Sequence, residues 1–263
     1  MKLIGQLNFQ GETYKVTFNP AQKTASLSPL PSAVQLKDYY EKHHQKLNDQ
    51  INLHRENQRL DSIEVFQPSG KLLDIGAGRG YFLTAVQSRT HWQGTGLEIS
   101  PTACQYAKKN FNLKILNTPL EAAKLKNNSF DVITFHAVLE HLRHPFKNLK
   151  IAQQKLKPHG LVVVRIPNIR SFEFYFSKLL KRNYAGFIFD HLHYFTPEGI
   201  SLLLKKAGFE ILKITSRHYT PSEELRKHPY WLITNLAKRF LEGSNLGGSL
   251  CFGNTLYVYA RKI

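Results

Sequence analysis

Leu72-Leu-Asp-Ile-Gly-Ala-Gly-Arg-Gly-Tyr81 is a short apolar run that breaks into three glycines spaced two apart. A strand entering Gly76-x-Gly78-x-Gly80, followed by a helical pattern from Tyr81 to about Ser88, predicts a tight turn that a ligand can approach at the backbone. The dinucleotide fingerprint Gly-x-Gly-x-x-Gly would need a glycine at position 81, where Tyr81 stands instead. Asp74 precedes the first glycine by two positions. A carboxylate there gains little from a pyrophosphate and much from a cationic ammonium group.

Outward from this turn, strands and helices alternate. Gly94–Leu97 is the next strand and ends at Glu98, 20 residues beyond Gly78, where a carboxylate can accept from both hydroxyls of a ribose. A helix opens at Ser100-Pro101, with serine as its cap and proline in its first turn. Leu113–Leu116, Phe130–Phe135 and Gly160–Ile166 read as further strands, with helices at 145–157 and 197–207. Strand alternating with helix predicts a parallel sheet covered on both faces. Residues 1–32 read as a β-rich extension, 33–66 as a helical cap region, and 67–263 as the main domain with a basic aromatic insertion at 168–195.

The 263 residues are 42% apolar and 21% charged, values that exclude a largely disordered, collagen-like or disulfide-scaffold chain. Two cysteines and the absence of a signal-like start or long apolar run point to a cytoplasmic protein, at most peripheral to a membrane. Net charge is +17, distributed as +1 over residues 1–70, +6 over 71–150 and +10 over 151–263. Any anionic partner should therefore meet the later parts of the chain.

An ammonium group, a ribose and close backbone contact are together satisfied by S-adenosylmethionine, which carries no phosphate. Asp74-x-Gly76-x-Gly78-x-Gly80 with Glu98 resembles the class I S-adenosylmethionine-dependent methyltransferases. Ser129–Ile133, Val138-Leu-Glu-His-Leu142 with Pro145, Lys157-Pro-x-Gly160, and His191–Thr196 with Ala207-Gly-Phe209 resemble its small-molecule branch, so the likeness spans roughly 65–215. The resemblance implies a Rossmann-like, doubly wound, mostly parallel α/β sheet of seven strands, with the N-terminal β and helical extension added. It implies that Asp74, Gly76, Ala77, Gly78 and Gly80 hold the methionine part, with Glu98 and Ile99 at the ribose. Asn117 and Thr118 would lie against the adenine, although the commonest family pattern has an acid where Asn117 is neutral. Phe135 and His136 would border the methyl group.

The expected reaction is methyl transfer, at oxygen, to a small or lipid-linked acceptor. A base would assist a hydroxyl acceptor, and His136, His141, His191, His193 and Tyr194 are the candidates by position. Small-RNA 2′-O-methyltransferases of this fold hold a metal through Glu-x-x-Glu-His; here the first position is Ala137 before Glu140-His141, so no metal is assigned, a reduced site with His191 or His193 being the variant left open. Phe172, Tyr175, Phe176, Leu179 and Leu180 fall on one helical face beside Lys178, Lys181 and Arg182, which predicts a lid packed over the site. The alternative is a helix resting on an anionic bilayer. Two other functions compete: an RNA methyltransferase using the basic surface, though no RNA-binding module is evident, and a non-catalytic protein that keeps the cofactor fold.

Overall fold

A computed structural model describes residues 1–44, 52–217 and 251–263. Five parallel strands form the centre of the larger sheet: β4 (Gly70–Ile75), β5 (Trp92–Glu98), β6 (Ile115–Asn117), β7 (Phe130–His136) and β8 (Leu156–Pro167). Two antiparallel strands complete it, β10 (Phe209–Arg217) and β11 (Thr255–Lys262), in the order β10-β11-β8-β7-β4-β5-β6. The chain reverses direction across the sheet between β4 and β7, both of which pair with parallel neighbours. That reversal leaves a crevice at the carboxyl edge, where open α/β sheets bind ligands.

Helices cover both faces. On one side α2 (Leu53–Glu64), α3 (Tyr81–Gln87) and α4 (Pro101–Phe111) bury Leu60, Phe82, Leu83 and Cys104 against Leu72, Val132 and Val163. On the other, α5 (Pro145–Lys155) and α7 (Pro197–Lys206) bury Leu149, Ala152, Ile200 and Leu204 against Leu73, Ile133 and Val164. The helix starts follow the local signals: Ser100 Oγ accepts from Ala103 N–H and Thr196 Oγ1 from Gly199 N–H, each just before a proline.

A second sheet is antiparallel. Strands β1 (Lys2–Phe9), β2 (Glu12–Asn19) and β3 (Thr24–Ser28) form a meander, and the three-residue strand β9 (His193–Phe195) adds to β3. The N-terminal strands are thus joined to the segment just before α7. Thr196 strengthens the joint by donating to Lys23 O at 2.9 Å. Helix α1 (Ala33–His44) follows the meander. The space between this small sheet and residues 168–195 is filled by an aromatic cluster that includes Tyr14, Phe174, Phe187, Phe189 and Tyr194.

Helix α6 (Phe172–Leu179) departs from the packed lid expected of it. Its buried residue is Phe174, which lies off the predicted apolar face. Tyr175, Leu179 and Leu180 are exposed, Leu179 by 78%. Helical periodicity identifies an apolar stripe but does not say which side the fold covers. Phe174 is taken inward by edge-to-face contacts with Tyr184 and Phe187.

Candidate active site

The glycine turn after β4 is fixed by backbone bonds to the end of β5: Gly76 N–H and Ala77 N–H both donate to Leu97 O, at 2.8 and 2.9 Å. Gly76 has φ +68°, and a Cβ there would lie 2.4 Å from Val138 Cγ2. Gly78 also has positive φ, +55°, but a Cβ there would meet nothing within 4 Å. The backbone at Gly78 therefore faces open space, and that space is a cleft of about 490 Å³.

Asp74, Gly76, Ala77 and Gly78 line the cleft on the β4 side. Asp74 is 3% exposed and accepts from Thr134 Oγ1 at 2.6 Å. Burial pushes its carboxyl up to about 7, against the lowering effect of the Thr134 bond. His136 enters from β7, with Nδ1 3.9 Å from Asp74 Oδ1 and its ring edge-on to Phe82 at 4.6 Å. Burial, with Arg59 and Arg165 nearby, holds its basicity well below the ordinary histidine value. His136 is thus a neutral imidazole next to Asp74, and the two do not form an ion pair.

The opposite charge comes from places the sequence reading missed. Arg55, Glu56 and Arg59 reach the cleft from α2, and Arg165 from β8. Glu56 is 2% exposed and receives Arg59 Nη1 at 2.5 Å and Arg55 Nε at 3.3 Å. A sequence signal existed: Glu56, Leu60 and Ile63 are one buried helical stripe in which a carboxylate interrupts the apolar pattern. Arg165 likewise interrupts the buried run Leu161-Val-Val-Val164 of β8. With Asp74 on one wall and these arginines on another, the cleft presents both charges that the zwitterionic end of an amino acid requires. The outer wall is formed by Ser100, Thr102, Ala103 and Tyr106 around the first turns of α4.

Other expected residues lie elsewhere. Glu98 stands at the rim, with Oε2 accepting from Gly78 N–H and Oε1 from Ser100 N–H, both at 2.8 Å. Gly80 starts α3 in the left-handed region at φ +81°, its Cβ position blocked by Leu113, and has a structural role. Ile99 is 63% exposed; Asn117 donates to Glu98 O, and Thr118 bonds Pro119 O, so none of the three forms the cleft wall. Phe135 requires correction. Strand alternation turns it to the face opposite His136, where it is fully buried in the core with Ile133 and Leu149.

The remaining base candidates divide into two groups. His193 Nδ1 pairs with Ser26 Oγ at 3.0 Å across the β3–β9 joint. Tyr194 is 1% exposed, its hydroxyl accepting from Ile188 N–H and donating to Ile188 O. Both residues hold the small sheet to the insertion and do not reach the cleft, which corrects their candidacy as bases. His141 and His191 stand together beside Glu140, ring centroids 4.9 Å apart, and also lie outside the cleft lining. Of the five candidates, the cleft contains His136.

Residues 43–214 match the family model described as a methyltransferase domain. A ubiquinone biosynthesis O-methyltransferase of Nitrosococcus oceani is 28% identical over 57% of this chain and 68% of its own length. A tRNA U34 carboxymethyltransferase of Syntrophotalea carbinolica is 28% identical over 66% of this chain and 55% of its own. Among solved structures, a SAM-dependent methyltransferase from Archaeoglobus fulgidus superposes with a TM-score of 0.59, at 21% identity, covering 86% of this chain and all of that one. With the family model spanning well over half of its length and a cleft that fits the cofactor's charges, the chain belongs to the methyltransferase-domain family and is an S-adenosylmethionine-dependent methyltransferase.

Proposed function

We propose that this enzyme methylates a hydroxyl oxygen on a small or lipid-linked acceptor, with the cofactor's amino-acid end seated between Asp74 and the arginines of the cleft. The observation that supports the seating best is the buried Asp74 carboxyl beside the open backbone of Gly78. Bound S-adenosylmethionine supplies an electrophilic methyl group on a sulfonium, which leaves with the electron pair kept on sulfur.

The chain's own residues then bind and orient. Asp74 takes the ammonium, and Arg59 and Arg165 take the carboxylate. A carboxylate oxygen can accept more than one hydrogen bond, so Glu98, although bonded to Gly78 and Ser100, keeps capacity for the ribose hydroxyls. Alignment of acceptor and methyl is the main catalytic contribution open to such a site. His136, neutral and at the cleft floor, is placed to orient an acceptor hydroxyl by a hydrogen bond, its lowered basicity making it a positioning group and a poor proton acceptor.

The acceptor class is supported by two observations. The relatives named for ubiquinone biosynthesis act as O-methyltransferases, which suits an isoprenoid-bearing phenol. The exposed face of Tyr175, Leu179 and Leu180, with Ile188 nearby in sequence and Lys178, Lys181 and Arg182 alongside, suits contact with an anionic bilayer that holds such an acceptor. Among the described residues no helix is long and apolar enough to cross a membrane, so contact would be at the surface. Two measurements test these proposals. Calorimetric titration should give S-adenosylmethionine binding and no NADH binding. Flotation with liposomes should retain the protein only when anionic lipid is present; equal and negligible flotation with both compositions would end the membrane proposal.

A further inference from the structure

Helix α2 carries a carboxylate where its buried stripe would otherwise be apolar. Glu56 falls in line with Leu60 and Ile63, yet it lines the cofactor cleft beside Arg55 and Arg59. A carboxylate is almost never fully buried unless it is paired. Here Arg59 Nη1 and Arg55 Nε both donate to it, one to each oxygen. The two pairs differ in setting. The Arg55 side chain is 42% exposed, so solvent screens its bond, whereas that of Arg59 is 13% exposed.

Arg59 Nε is buried and has no hydrogen-bond partner among the described residues. Glu56 thus engages one nitrogen of a planar fork and leaves another for a second carboxylate. Because the guanidinium donors have fixed relative directions, fixing one nitrogen aims the rest. Burial alone would lower the basicity of Arg59, and the charge of Glu56 opposes that. An arginine held in this way needs no ordering when a ligand arrives, and that ordering is otherwise drawn from the binding energy.

Glu56 also acts across the cleft on Asp74. From β7, Thr134 donates to Asp74 and the neutral His136 lies beside it; from α2 come Glu56 and Arg59, and from the end of β5 comes Glu98. Arg165 of β8 acts on His136 and Arg59 in the same space. Burial is the largest influence keeping Asp74 protonated, and the charges of Glu56 and Glu98 add to it, while Thr134 and Arg59 oppose it. We infer that Glu56 is a positioning residue for the cofactor: it holds Arg59 ready for the carboxylate of the amino-acid end and, as a second buried carboxylate facing Asp74, ties the seating of the ammonium to release of a proton. The inference rests on the seating proposed above and assigns to α2 both an anchor and the group that orients it.

Calorimetric titration of the full chain with S-adenosylmethionine across the acid and neutral range compares wild type with Glu56→Gln, Glu56→Asp and Glu64→Gln. Glu64 ties the other end of α2 to Arg89 and Trp92 and lies outside the cleft lining, so its variant controls for a loosened helix. On the alkaline side, where Asp74 is ionised in each protein, Glu56→Gln should bind about three- to tenfold more weakly. Its rise of affinity with pH should be centred about half a unit or more below that of wild type, because a like charge facing Asp74 is gone. Glu56→Asp keeps the charge and loses reach, so it should bind about threefold more weakly with the wild-type midpoint. Glu64→Gln should melt at a lower temperature and change neither quantity. Glu56→Gln with wild-type affinity or the wild-type midpoint overturns the inference, as does Glu64→Gln that reproduces both changes. Should Glu56→Gln fail to fold, Glu56→Asp decides, and wild-type affinity in it overturns the inference. Asp74→Ala, titrated in parallel, separates the two readings: undiminished binding there rejects the seating itself, whereas weakened binding there with unaltered Glu56 variants rejects the role of Glu56 alone.

Discussion

The two ends of the molecule's carboxyl edge are built differently. Around β4 and β5 the cofactor cleft has charged and backbone groups on a rigid parallel sheet, its glycine turn bonded directly to the neighbouring strand. Around β3, β9 and α6 the other region is aromatic packing on a small antiparallel sheet, joined through a three-residue strand. The first arrangement suits one invariant ligand with a fixed charge pattern. The second can vary its apolar surface without disturbing the first, which is how a shared fold accommodates different acceptors.

The largest effect expected is on the cofactor side. Asp74→Ala should weaken S-adenosylmethionine binding by about 100-fold, or ~2.7 kcal/mol, as loss of a charged partner does. Titration calorimetry checks it, and near-wild-type affinity would remove the distinction between the two regions. Next is a pH dependence. Asp74 has its carboxyl pushed up to about 7 in the free protein, while the ammonium requires the ionised form. Below that value binding must expel a proton, so affinity should rise with pH from about 5 to about 7, by up to about tenfold per unit. Asp74→Asn should flatten this profile. The same raised value means that ionising Asp74 costs folding stability progressively as pH rises from its unfolded value through about 7.

On the other side the effects should appear in stability. Thr196→Val removes both the cap of α7 and the bond to Lys23, and should cost about 1–2 kcal/mol in denaturant melts with cofactor affinity unchanged. The smallest effect separates two adjacent residues. Phe135→Leu should cost about 1 kcal/mol of stability and leave cofactor affinity alone, since Phe135 faces the core opposite His136. A change in cofactor affinity as large as that of Asp74→Ala would return Phe135 to the cleft.

The difference between the regions also explains what could be read in advance. Residues 72–81 form strand, turn and helix within ten positions, so local spacing was enough to identify the cleft's floor. Arg59 and Arg165 belong to distant elements, and only packing of α2 and β8 brings them to one wall. The pairing of Ser26 with His193 spans 167 positions and involves a strand too short to show alternation. For α6, an apolar stripe was visible, but the side it faces depends on Tyr184 and Phe187, which lie beyond the helix. Phe135 and His136 are neighbours at the end of β7, but successive strand side chains face opposite ways, so His136 enters the cleft and Phe135 the core.

The most direct test of this account is a crystal structure of the full chain soaked with S-adenosylmethionine. The sulfonium nucleoside should occupy the cleft, with its ammonium on Asp74 and its carboxylate toward Arg59 and Arg165. An ordered crystal with that cleft empty, or with the cofactor bound and its amino-acid end turned away from Asp74, would contradict it.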